Sequence, residues 1–223
     1  MTDYKLTRSK RKTLTIYVRK GAVEVRAPLK MSQSRIDAFV ASKEDWIAKK
    51  LAESRKALAL KEAFALSYGD TVLYRGKHYP IIAKAGRSIG FDGTQFYLPP
   101  GLTPEQIQQA CVRLYRKMAK QVLAQKVSHY AKQLSVSPKA IRITSARTRW
   151  GSCSAKKNLN FSWRLIMAHD EVIDYVVVHE LAHLIEMNHS ERFWKTVSSI
   201  FPEYKEQKAQ LKALQKRLNT ENW

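Results

Sequence analysis

A mixed α+β fold follows from two observations on the sequence. Residues 13–27 and the short runs between Leu66 and Leu98 alternate apolar with polar side chains, the period of half-buried strands. Apolar positions from Ile107 to Leu134 and from Val172 to Leu184 instead recur at helical spacing. The strand signals crowd into the first hundred residues and the long helical signals into the rest. The pattern predicts a β-rich N-terminal module over 1–100, with one or two helices, and a second domain over 101–223.

The elements follow in order. TLTIYVRKGAVEVRA, residues 13–27, reads as a hairpin bent at Gly21. After Pro28, Ile36, Phe39, Val40, Trp46, Ile47 and Leu51 predict a helical segment capped by Ser32 or Ser34. TVLYRG, HYPIIAK and GTQFYLP are short β-like pieces divided by glycines. Pro99-Pro100-Gly101 marks the boundary, and Thr103-Pro104-Glu105-Gln106 offers an N-cap, a first-turn proline and a capping-box glutamine. The helix that follows carries Ile107, Cys111, Leu114, Met118, Val122, Tyr130 and Leu134 near one stripe, with Cys111 as a small buried hydrophobe. Beyond Pro138, two β-like runs flank a Gly-Ser loop. The second points Leu159, Phe161, Trp163 and Leu165 one way and Asn160, Ser162 and Arg164 the other. Asp170 is the expected cap of a packed helix through Leu184.

The composition excludes several classes. With 44% hydrophobic residues among 223, the chain is globular rather than disordered. No apolar run reaches the roughly 18 residues of a membrane span, and the charged opening MTDYKLTRSKRK has no secretory signal. Two cysteines are too few for a disulfide framework, so the expectation is a cytoplasmic protein with Cys111 and Cys153 as thiols and no membrane partner. Lys and Arg number 40 against 19 Asp and Glu, a net charge of +21 distributed over both halves. Such a surface attracts polyanions and makes nucleic acid an expected partner, although no helix-turn-helix, zinc-finger or RNA-recognition signature accompanies it.

The chemistry concentrates in VVVHELAHLIEMNHSERFW, Val176 to Trp194. His179 and His183 lie four apart on one helical face, where both imidazoles reach one metal ion, and Glu180 stands beside the first as a base for water at an open coordination position. Burying two imidazoles and a carboxylate on an apolar helix is costly unless a metal and its water satisfy them. His189 is the third-ligand candidate, with Asn188 ending the first helix and Ser190 capping the next. Glu191, Glu203 and Glu206 remain open as carboxylate ligands. Glu186 sits a further turn from His179 and reads as a supporting or surface acid. His78, His129 and His169 lack comparable spacing and read as ordinary. In RTRWGSC, Gly151 reads as a turn residue, Trp150 as core and Cys153 as a packed thiol. The alternative gives Arg147 or Arg149 a substrate carboxylate or phosphate to bind.

The histidine spacing is shared with metzincins, whose pattern has a glycine where Glu186 stands and a later methionine turn that is not evident here. RTRWGSCS (Arg147 to Ser154), LNFSWRL (Leu159 to Leu165) and the Val176–Trp194 stretch resemble the YgjP-like metallopeptidase-domain family, which is similar to the SprT-like and WLM groups. The N-terminal hairpin, the APLKMSQSRIDAFVASKEDWIAKKL segment and the middle β region resemble it as well. The resemblance implies a zincin-like catalytic domain behind the β-rich module, Zn²⁺ on His179, His183 and His189, Glu180 as general base, and a protein or peptide substrate. Two other readings compete: a metal-dependent nucleotide phosphohydrolase, and a nucleic-acid-binding protein with a structural zinc. A single His-rich site disfavours the first, and Glu180 beside the ligands disfavours the second.

Overall fold

A computed structural model describes residues 2–223. By their contacts these form two compact units, one of the residues through Phe64 with Arg217–Asn222, the other of Ala65–Lys216 with Trp223. The fold is mixed α+β, with six α-helices and three small sheets among the described residues.

In the first unit the expected hairpin forms from β2 (Thr15–Arg19) and β3 (Ala22–Pro28). Lys20 and Gly21 both take positive φ, 51° and 73°, the two-residue turn whose twist suits a hairpin. A further strand, β1 (Lys5–Ser9), pairs parallel to β3. The single helical segment expected after Pro28 is two helices, α1 (Gln33–Ala41) and α2 (Glu44–Glu62), broken at Ser42–Lys43. Ser32 occupies the α1 cap position without a side-chain capping bond. Val23, Val25 and Ala27 from the sheet meet Ile36, Val40 and Ile47 from the helices in a closed apolar core.

The second unit contains two sheets. One, ordered β4-β5-β7-β6, comprises β4 (Thr71–Tyr74), β5 (Lys77–Ala83), β6 (Gly90–Phe91) and β7 (Phe96–Leu98). Pro99–Gly101 leads directly from β7 into α3 (Pro104–Gln133) inside this unit, so residues 65–98 group with the helical half of the chain. Two links account for this: the Arg75 and Gly76 amides donate to the Ile166 and Met167 carbonyls, and the Tyr115 hydroxyl donates to the Leu73 carbonyl. The α3 capping box forms as expected, with Thr103 N–H donating to Gln106 at 2.9 Å. Its buried stripe ends on Leu123 and Val127; Val122, Tyr130 and Leu134 lie half-exposed because the burial follows the neighbours' surface rather than a straight heptad.

The other sheet, β8 (Ala140–Thr144), β10 (Asn158–Ser162) and β9 (Gly151–Cys153), runs in the order β8-β10-β9 and leaves β9 at an edge. The expected alternation through Leu165 stops at Ser162, where Trp163–Met167 wind into a 3₁₀ turn and bury all five side chains. Arg164 is therefore inside, donating to the carbonyls of Ser145, Ala146 and Trp223. Helix α4 (Asp170–Ala182) starts from His169, not from a capping Asp170. Asp170 lies in the first turn and accepts two hydrogen bonds from Arg75, at 2.8 and 2.6 Å, where its charge also suits the helix N-terminus. Helices α5 (Glu191–Ser198) and α6 (Tyr204–Leu218) follow. No helix among the described residues is long and apolar enough to cross a membrane.

Candidate metal centre

Helix α4 is the spine of the site. Val172, Ile173, Val176, Val177 and Leu181 are buried, which fixes the helix rotation and leaves His179 and His183 on the less buried side. The helix ends at Ala182, well before Asn188, and His183 is its C-cap residue with φ −66° and ψ −15°. A turn follows, in which the Leu184 amide donates to Leu181 and the Ile185 and Glu186 amides to Ala182. It carries the chain back toward α4 and delivers His189. Ser190 then caps α5, its hydroxyl accepting from the Phe193 amide at 3.3 Å.

One donor nitrogen from each of His179, His183 and His189 lies within 4.8 Å of the others, and the three are the group of this kind among the described residues. The Nε2 atoms of His179 and His189 are 3.2 Å apart. Two imidazole nitrogens about 2.0–2.1 Å from one tetrahedral zinc would stand about 3.3–3.4 Å apart, so the pair fits a shared ion. The Glu186 carbonyl lies 3.1 Å from His183 Nδ1 and can only accept, which places the proton on Nδ1 and leaves Nε2 free for a metal. Glu186 thus orients His183 through its backbone. Glu191, Glu203 and Glu206 do not join the cluster. His78, His129 and His169 lie outside it too: His78 pairs with Thr71, His129 with Gln133, and His169 caps α4 against Gly76.

Aromatic packing holds the imidazoles. Phe193 contacts all three rings at centroid distances of 4.9, 4.5 and 4.7 Å. Trp194 stacks on His189 on one side and on Tyr204 on the other. His179 Nδ1 is buried without a hydrogen-bond partner, so Tyr175, Phe193 and Trp194 hold that ring by contact. Burial, with the charges of His183, His189 and Lys208, drives His179 down to about 3, and burial lowers His183 as well. Both rings stay neutral at ordinary pH, as metal ligation requires.

Glu180 is 95% removed from solvent, at 5% exposure, and its Oε2 has no partner. Burial pushes its carboxyl up to about 8, opposed in part by the positive charge of Arg149. Against it lies Gly151 on β9, where an added Cβ would stand 2.5 Å from Glu180 Oε1. Gly151 is therefore a space-making residue in a strand, not the turn residue expected. A metal with bound water would satisfy the orphaned carboxylate oxygen and use the converging nitrogens, so the donor set fits a divalent ion.

The family described as YgjP-like, metallopeptidase domain, matches residues 12–214. The chain belongs to the YgjP-like metallopeptidase-domain family. Among solved structures, this YgjP-like chain is similar to the metallopeptidase zymogen of Pyrococcus abyssi abylysin. That likeness has 22% identity and a TM-score of 0.39, over 44% of this chain and 97% of that one. It is also similar to the metallopeptidase zymogen of Methanocaldococcus jannaschii jannalysin, with 22% identity and a TM-score of 0.36 over 43% and 96%. No curated protein matches.

In the RTRWGSC segment of this YgjP-like chain, Arg147 donates to the Trp223 main-chain oxygen at 2.5 Å and has a packing role. Trp150 is half-buried rather than core. Cys153 and Cys111 are both free thiols, the latter fully buried and pushed up to about 12 by that burial. Sequence reasoning missed Phe193 and Trp194 as supports of the three histidines. The FW pair after the Ser190 cap was visible, but not which side of α5 would face the histidines.

Proposed function

We propose that the protein is a zinc-dependent peptidase that hydrolyses peptide bonds at His179, His183 and His189, with Glu180 as general base. The observation that carries this reading is the convergence of three imidazole nitrogens beside a buried carboxylate whose second oxygen has no partner, in a chain of a metallopeptidase family. Zinc bound there supplies Lewis acidity toward a peptide carbonyl and toward water. A Glu180 carboxylate oxygen takes the proton of the attacking water and returns it to the leaving amine nitrogen, which balances the hydrolysis. Strand β9, beside Glu180, is an edge strand, the element to which an extended peptide can add.

A structural zinc would not explain an unpaired carboxylate beside an open site. A nucleotide phosphohydrolase gains nothing from the family match. The test compares Glu180→Gln with the three histidine-to-alanine variants. Each alanine variant should lose bound zinc by elemental analysis. Glu180→Gln should keep zinc and fold while peptide hydrolysis falls by about 10² to 10⁴, the usual contribution of a positioned base. Full turnover by metallated Glu180→Gln would defeat the mechanism, and zinc retained by His189→Ala would remove the third ligand.

A further inference from the structure

Three arginines enter the neighbourhood of β9, and two are committed. Arg147 is spent on the Trp223 main-chain oxygen, and Arg164 is buried beneath it with carbonyl partners. Arg149 is different: it is solvent-exposed and, among the described residues, donates no hydrogen bond and forms no ion pair. It stands two residues before Gly151, whose Cα is in near contact with the Glu180 carboxylate. Two residues of chain span at most about 7 Å, so the root of the Arg149 side chain lies within that distance of Gly151, which packs on Glu180. Its charge acts on Glu180. No ion pair or hydrogen bond joins this guanidinium to Glu180 among the described residues, and Glu180 Oε2 stays unbonded. The result is an exposed five-donor fork close to Glu180 with its carboxylate-binding geometry unfilled.

We propose that Arg149 is a specificity-determining residue that pairs with a carboxylate of the bound peptide, so that the site prefers chains bearing an acidic side chain or a terminal carboxylate near the scissile bond. The inference rests on the peptidase reading above for the identity of the ligand as a peptide. A planar fork suits a carboxylate bidentately, and such a pair is stronger than a neutral hydrogen bond. A general basic surface would attract acidic peptides as well, but without dependence on one residue.

The test is a binding measurement, so it reads out whether or not cleavage occurs. Zinc-loaded Glu180→Gln protein is immobilised and offered random hexapeptide pools in four forms: Asp and Glu present or replaced by Asn and Gln, each with a free or an amidated terminus. Retained peptides are quantified by mass spectrometry. Carboxylate-bearing peptides should be enriched about tenfold over their amide counterparts, the worth of one charge-assisted pair. Comparing the four pools separates side-chain from terminal carboxylates. Adding Arg149→Gln should reduce the enrichment to within about twofold. Lys156→Gln, which removes one charge from an exposed position on the turn between β9 and β10, should leave it intact. Enrichment that survives Arg149→Gln, or that falls equally in Lys156→Gln, overturns the proposal. So does equal retention of acid and amide pools by the Glu180→Gln protein, a result that needs no further variant to fold. If Arg149 only tunes Glu180, Arg149→Gln shifts the pH profile of the wild type without altering the acid-to-amide ratio, which also overturns it. Wild type that cleaves no peptide counts against the peptidase reading and leaves the binding ratio readable. Failure to retain any pool counts against both.

Discussion

At Gly151 the backbone of β9 comes so near Glu180 that a single methyl group has no room, with Oε1, Cγ and Cδ of the glutamate all 2.5–2.7 Å from the added carbon. Glu180 is buried and cannot swing outward without displacing its neighbours. Gly151→Ala should therefore move the carboxylate rather than the strand. The expected cost is about 1–3 kcal/mol of stability, typical of overpacking. Peptide hydrolysis should fall by about 10², because a misplacement near 1 Å commonly costs that much. Urea unfolding and turnover on one peptide check both. A variant that folds and turns over at the wild-type rate would show that the strand can yield and that Glu180 does not depend on this contact.

Two short elements after α4 bring a third histidine to the pair on the helix. Ending α4 at Ala182 and turning through Leu184–Glu186 returns the chain, and capping α5 at Ser190 fixes where Phe193 and Trp194 press on the imidazoles. The Ser190 hydroxyl satisfies one of the orphan amides at the α5 start. Ser190→Ala should cost about 1 kcal/mol and also weaken zinc retention, because Phe193 sets the ring positions. Thr103→Ala, which removes the equivalent cap of α3, should cost a similar amount and leave zinc affinity unchanged. Urea midpoints and competition with a zinc chelator measure the two effects. Equal zinc affinity in both variants would disconnect α5 from the histidine cluster.

For the molecule as a whole, the buried site ties stability to pH. Folding raises Glu180 from 4.5 to about 8, so between those values the folded chain holds more protons and stability falls as pH rises. His179 runs the other way: lowered from 6.5 to about 3, it leaves the unfolded chain with more protons in that window, so stability is lost as pH falls below 6.5. His183 shifts in the same direction. Between pH 6.5 and 8 the Glu180 contribution dominates, and the metal-free protein should lose roughly 1–2 kcal/mol. Glu180→Gln should flatten that slope, as seen in urea midpoints at the two pH values. Equal slopes would mean that burial does not perturb this carboxyl in the folded chain.

The sequence by itself determined the features that rest on local rules. A four-residue histidine spacing shares a helical face in any helix, the Thr103–Gln106 box and the Lys20–Gly21 turn are local chemistry, and the buried faces of β3 and α4 follow from periodicity. These residues need no partner distant in sequence to adopt their conformation. Tertiary structure decided the rest. Asp170 gave up the capping role because Arg75, 95 residues away, presents a bidentate partner. Alternation broke at Trp163 because the 3₁₀ turn buries Arg164 against carbonyls from elsewhere in the chain. Residues 65–98 grouped with the second unit through hydrogen bonds to the Ile166–Met167 backbone, which no composition change announces. His189, rather than Glu191, Glu203 or Glu206, was brought beside His179 and His183 by the path of one turn, and Gly151 acquired its close approach to Glu180 only when β9 was laid against α4. In each case the deciding energy is a contact between segments far apart along the chain, and a pattern read along the chain carries no record of which distant group will arrive.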